Sequence, residues 1–169
     1  MMETSLSLLE AIKQALQDEA VGKAIYEKAA KNAENNEIKK FFLKMAHEEE
    51  SHIDYLNRLY KRLDKKLSDN ELLQDVRHNF KPTKEIFDKN FLDGIAKNKS
   101  LLLALNTSAT LEKNAIAFYK KCQNIAVEKD LKDFFDAMVI WETDHLNKIL
   151  DIFENIDDED MAISRDEYI

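Results

Sequence analysis

Helix breakers are scarce in this sequence. One proline and two glycines stand among 169 residues, and these are the residue types least compatible with a helix interior. Alanine, leucine, glutamate, lysine and asparagine dominate instead, the usage of long helices. Cysteine is scarcer still. Cys122 alone excludes an internal disulfide and any four-cysteine zinc or rubredoxin-type site built within the chain. Basic residues are the minority charge, and a formal net charge of −8 argues against a nucleic-acid groove or an anionic membrane as partner. No apolar run approaches the roughly 18–20 residues of a membrane span; the longest clear one is Leu101–Leu105. The start MMETSLSLLEAIKQ has neither a basic opening nor an apolar core. No export signal is read there, and a soluble cytoplasmic protein is expected. An HExxH zinc-protease signature is missing too, because Ser51 stands where its second histidine would be.

What is present is helical rhythm. Leu8, Ile12, Ala15, Glu19, Gly22, Tyr26, Ala29 and Ala33 are spaced alternately four and three apart, the inward seam of a bundle helix. Ile38, Phe42, Met45, Glu49, His52, Leu56, Leu59 and Leu63 form a second such seam. Leu101, Leu105, Ser108, Glu112, Ala115, Tyr119, Cys122 and Ala126 form a third. Leu131, Phe135, Met138, Glu142, His145, Ile149, Ile152 and Ile156 form a fourth.

These four seams are two seams repeated. Adding 93 to any residue number in 16–60 reaches its counterpart in 109–153 without a gap. Glu19, Tyr26, Phe41, Phe42, Met45, Glu49 and His52 recur as the same residue type. Each half therefore reads as one antiparallel helical hairpin, with turns near Asn35-Asn36 and Glu128-Lys129. The hairpins are expected at about 5–65 and 99–156. Between them, 66–98 carries Pro82 and Gly94, with 69–78 and 83–93 as candidate helices. A 30-residue helix is roughly 45 Å long, and about 14 extended residues span that length. The connection is long enough to cross the bundle end to end. The expected fold is all-α: a four-helix bundle of two hairpins joined by a long crossover, one domain over 1–156, then an acidic tail over 157–169.

Six residues on the inward seams are out of place in a core: Glu19, Glu49, His52, Glu112, Glu142 and His145. A buried, unpaired carboxylate costs several kcal/mol. Glu19 lies about 16 residues before the first turn, and Glu49 and His52 lie about 13–16 after it, so in a hairpin they reach one level. The second half repeats the arrangement. Residues three apart share a helix face, so each Glu-x-x-His pair aims at one point. Two divalent cations would neutralise four such carboxylates. Two other readings stand beside this one: solvated surface glutamates, which the seam placement opposes, and carboxyl–imidazole hydrogen bonding without metal. One carboxylate from each of two helices, and Glu-x-x-His from each of the other two, resembles the ligand pattern of ferritin-like di-metal proteins.

The resemblance narrows further on E-x-x-G-x-x-x-Y at 19–26, E-x-x-H at 49–52, E-x-x-A-x-x-x-Y at 112–119 and E-x-x-H at 142–145. Over about 1–65 and 99–156 the chain is similar to the rubrerythrin family of ferritin-like proteins. That resemblance implies a di-iron centre in which Glu49 and Glu142 bridge the metals. Glu19 and His52 complete one metal's ligands, and Glu112 and His145 the other's; Mn or Zn could take the same ligands. It implies reduction of H2O2 or O2 in a defence against oxidative stress, by a homodimer drawing electrons from an external donor such as rubredoxin or a reductase. Two features depart from the family's usual pattern. Ala115 stands where an additional glutamate is usual, and one cysteine cannot build the rubredoxin-like domain. Alternative roles are a ferroxidase that stores iron in a closed particle, and a non-catalytic metal scaffold or sensor.

Around the six ligands, the resemblance implies that Tyr26 and Tyr119 hydrogen-bond carboxylates of the opposite half. Gly22 costs about 1 kcal/mol relative to alanine in mid-helix, which open space beside the metals or close helix packing could explain. Glu48 flanks the seam and is expected to accept a hydrogen bond from His145 across the bundle. Its counterpart, Trp141, can donate but not accept, so the two metal positions are expected to differ. His47 and Glu50 fall off the seam and read as surface. Cys122 matches Ala29 and reads as a small core residue; His78 has no ligand spacing.

Overall fold

The computed structural model describes residues 7–65 and 85–156, and all five helices found there are α-helices. Four are long: α1 (Leu8–Asn32), α2 (Asn36–Asp64), α4 (Lys99–Ile125) and α5 (Lys129–Asn155); α3 (Lys89–Ala96) is short. No strand occurs among the described residues. No helix among them is long and apolar enough to cross a membrane.

Polar side chains cap four of the five helix starts, all but that of α5. Ser7 and Glu10 form a reciprocal capping box at α1, with Ser7 N–H donating to Glu10 Oε2 at 2.9 Å and Glu10 N–H to Ser7 Oγ at 3.3 Å. Asn35 Oδ1 accepts from the backbone of Glu37 (2.7 Å) and Ile38 (3.3 Å) at the start of α2. Asn98 does the same for Ser100 and Leu101 at α4. The breaks at 33–35 and 126–128 fall at the expected turns.

α1 packs along α2, α4 along α5, and α1 along α4. Glu19 meets His52, and Lys23 meets Glu50. Those pairings step in opposite directions, so α1 and α2 run antiparallel. Every residue of the four seams is buried or partly buried.

The core divides in two. One cluster gathers Tyr26, Ile38, Phe42, Met45, Leu102, Leu105, Ile149 and Ile152. The other gathers Ile12, Ala15, Leu56, Leu59, Tyr119, Phe135, Met138 and Trp141. The six polar seam residues lie between these clusters in sequence on every helix, so two dry layers enclose one polar layer. Burying the apolar surface of both clusters, at about 25 cal/mol per Å², is what holds four carboxylates away from water.

The connection departs from expectation. A helix was expected at 83–93, but α3 spans Lys89–Ala96. Asp88 caps it by accepting from Phe91 N–H at 2.8 Å; it occupies the N-cap in extended backbone conformation, so the helix starts only after it. Phe91 and Ile95 then reach the first core cluster. The other candidate, 69–78, Pro82 and His78 lie outside the described residues, as does the tail at 157–169.

Candidate metal centre

All six candidate ligands are buried, none more than 5% exposed. Glu19 comes from α1, Glu49 and His52 from α2, Glu112 from α4, Glu142 and His145 from α5. Their ligand atoms form two groups: Glu19, Glu49, His52 and Glu142, and Glu49, Glu112, Glu142 and His145. Within each group one ligand atom per residue lies within 4.8 Å of every other. Glu49 and Glu142 belong to both.

The shared carboxylates face both ways. Glu49 Oε1 is 3.1 Å from His145 Nδ1, while its Oε2 is 3.5 Å from His52 Nδ1. Glu142 Oε1 is 3.0 Å from His52 Nδ1, while its Oε2 is 3.6 Å from His145 Nδ1. Glu19 and Glu112 each approach one histidine, at 3.0 and 3.6 Å. Ligands about 2.1 Å from one ion stand about 3.0 Å apart when adjacent and about 4.2 Å apart when opposite. The imidazole–carboxylate spacings of 3.0–3.6 Å are close to those of neighbouring ligands on one ion.

The hydrogen-bond inventory fits such ligands too. Glu49 Oε1, both oxygens of Glu142 and His145 Nδ1 are buried without a hydrogen-bond partner. Buried polar atoms are seldom left so. Here they converge closely yet off the line of a hydrogen bond, as donors to a shared cation would. Carboxylate and imidazole suit Fe, Mn or Zn.

Without a cation, protons keep the layer neutral. Burial raises the pKa of Glu19 and Glu142, and neighbouring carboxylates add to the rise. Burial also opposes charge on Glu49 and Glu112, but the close approach of neighbouring acids and imidazoles, and for Glu112 the bond from Tyr26, outweighs it and lowers both. Burial disfavours imidazolium at His52 and His145, and the facing carboxylates overcome it, so both are raised. The shifts thus favour imidazolium beside carboxylate when no cation is bound. Two divalent ions would replace those protons.

The surrounding groups orient the ligands. Tyr26 Oη donates to Glu112 Oε1 at 2.5 Å, and Tyr119 Oη donates to Glu19 Oε1. Each phenol thus reaches a carboxylate of the other half. Burial pushes both phenols up, so they keep their protons and act as donors. His145 Nε2 lies 2.9 Å from Glu48 Oε2, the pairing expected from sequence. For Glu48, partial burial works against ionisation. The bond from His145 and the charges of Lys148 and Lys44 prevail and bring its pKa to about 2. An ionised carboxylate can only accept, so Nε2 carries the proton and Nδ1 faces the ligand cluster.

A cavity of about 210 Å³ reaches the layer between α1 and α4; Gly22, Ser108 and Ala115 line it with Glu19, Glu112 and Tyr119. Close packing does not require a glycine at position 22. A Cβ there would lie 3.6 Å from Glu49 Cδ, an ordinary contact. Gly22→Ala should therefore stabilise the protein by about 0.5–1 kcal/mol, raising the thermal midpoint by roughly 1–4 °C. A fall in the midpoint by calorimetry would show that the backbone must stay bare there.

Among the described residues, those read as bland are bland. His47 and Glu50 are exposed, and Glu50 accepts from Lys23 at 2.9 Å. Cys122 is buried, which pushes its thiol up to about 11. Sequence reasoning missed Lys148, which is buried and bridges Asp144 at 2.7 Å to Glu48 at 3.4 Å. The signal for it was present as the i,i+4 pair Asp144/Lys148.

A family model described as Rubrerythrin matches residues 10–153. No curated protein and no solved structure gives a match.

Proposed function

Because the chain belongs to the rubrerythrin family, we propose that it is a di-iron oxidoreductase reducing H2O2 or O2 with electrons from an external donor. The observation that carries this reading is the pair of ligand groups sharing Glu49 and Glu142. The matching ligand levels in the two repeat halves support a ferritin-like bundle of two hairpins joined by the crossover. The reading includes a cytoplasmic homodimer and a donor such as rubredoxin or a reductase.

Glu19, Glu49, His52 and Glu142 would hold one iron; Glu49, Glu112, Glu142 and His145 would hold the other. Two bound irons supply the two electrons that, with two protons, turn one H2O2 into two waters. The chain does the rest. Tyr26 and Tyr119 keep protons on Oη aimed at Glu112 and Glu19, fixing the orientation of both carboxylates. The cavity between α1 and α4 is small beside the roughly 300 Å³ of a drug-sized site, and it suits an oxidant of two oxygen atoms. The apolar layers above and below exclude bulk water and strengthen every electrostatic contact inside.

The test is anaerobic. Protein loaded with two Fe(II) per chain is mixed with one equivalent of peroxide. Oxidation faster than that of free Fe(II), with peroxide consumed one per two irons, is expected. Oxidation at the rate of free Fe(II) would sink the enzyme reading and leave a metal scaffold. Gel filtration separates a dimer from the closed particle of about 24 chains that storage needs.

A further inference from the structure

The repeat pairs every ligand with a ligand of the same type, so a difference between the two positions must come from what surrounds the ligands. Three exchanges stand out: Glu48 corresponds to Trp141, Lys148 to Tyr55, and Asp144 to Ser51. Their side chains sort by half. Behind His145, Glu48 Oε2 sits 2.9 Å from Nε2, with Lys148 Nζ 3.4 Å from that oxygen and 2.7 Å from Asp144. Behind His52, the Trp141 ring stacks with centroids 4.7 Å apart and planes at 21°. Tyr55 packs on Trp141 at 5.4 Å.

One imidazole is therefore backed by a charged chain and the other by an aromatic wall. Asp144 pairs with Lys148 and Glu85 with Lys44, so the group behind His145 keeps the net negative charge of Glu48. A carboxylate in that place fixes the ring, sets its tautomer and makes the facing nitrogen a better donor to metal. An indole face supplies no acceptor. We propose that the two metal positions differ in affinity: the ion at Glu112 and His145 is the tightly held one, the ion at Glu19 and His52 the exchangeable one. Glu48 is the positioning residue that sets the gap. Removing such a partner costs about 10- to 100-fold in metal affinity, and that is the expected size of the gap. The exchangeable position gives a route to mixed-metal centres. The inference rests on the two-metal reading above.

Trp141 is the sole tryptophan and stacks on His52, a ligand of the exchangeable position, so its emission is more sensitive to that position than to the other. The full chain is loaded with Co(II), and bound metal is counted first. Fewer than two ions per chain would overturn the two-metal reading itself. With two bound, a chelator is added stepwise while cobalt and Trp141 emission are followed. Release is expected in two steps separated by about 10- to 100-fold in free metal, with most of the emission returning in the first. Repulsion between the ions also splits release, so the order and its dependence on Glu48 decide. Glu48→Ala should bring the steps together, and Glu48→Gln, an acceptor without charge, should keep part of the gap. Emission returning mainly in the second step, a single step, or an unchanged gap in Glu48→Ala would overturn the inference. If Glu48→Ala does not fold, the Gln variant decides: a narrowed gap supports the assignment and an unchanged one overturns it.

Discussion

Glu49→Ala protein will hold neither metal, whereas Glu19→Ala protein will hold one. The difference follows from which oxygen faces where. Glu49 sends Oε1 toward His145 and Oε2 toward His52, so its loss removes a ligand from both groups at once. It also leaves three carboxylates to balance two divalent ions. Glu19 faces His52 alone and spends its other oxygen on Tyr119, so its loss weakens one position. Loss of a hydrogen-bond partner behind a ligand costs about 10- to 100-fold in affinity; loss of a bridging ligand should exceed that at both positions. The apolar clusters on either side of the layer do not depend on Glu49, so the variant should fold. Metal per chain, counted after gel filtration, is the measurement. Two ions retained by Glu49→Ala would refute the site; one retained by Glu49→Ala would refute the bridge but keep the ligands.

Much of this centre was legible in the sequence because a bundle helix exposes its burial pattern. The four-three spacing named the inward face. Carboxylates on an inward face demand compensation, and the 93-residue repeat turned one weak Glu-x-x-His into a matched pair. What spacing could not show was the direction of each oxygen. Bridging by Glu49 and Glu142 is what the resemblance implies; the structure adds that each of these carboxylates sends one oxygen toward each imidazole. Lys148 escaped notice because lysine on a helix flank reads as solvent-exposed; it is buried only because Asp144 and Glu48 both reach it. Burial alone would lower the Lys148 ammonium, but Asp144 and Glu48 outweigh it and keep it charged. The start of α3 escaped for a different reason. Ile86, Phe87, Phe91, Leu92 and Ile95 keep helical spacing across the whole stretch, so periodicity could not locate the first turn. The Asp88 cap decided it, leaving Ile86 exposed.

Metal removal should lower the thermal midpoint by roughly 15–30 °C, the largest stability change expected of this protein. Ions that bind only the folded chain stabilise it by about 4.1 kcal/mol per site at a thousandfold excess over Kd, or about 8 kcal/mol for two sites. In a chain of this length each kcal/mol moves the midpoint by roughly 2–4 °C. The metal-free protein should still fold. Protons moving onto Glu19, Glu142, His52 and His145 keep the layer close to neutral, and the two apolar clusters remain. Such a layer gives little in return, since buried ion pairs often stabilise less than apolar residues of the same volume. The bundle thus trades stability for a site that becomes worthwhile only when filled. Calorimetry of loaded and chelator-treated protein checks this, with Glu49→Ala as the variant whose midpoint should ignore added metal. A shift below about 5 °C with two ions bound would mean that the layer is as stable on protons as on metal, and its carboxylates would then need an explanation other than the cations they surround.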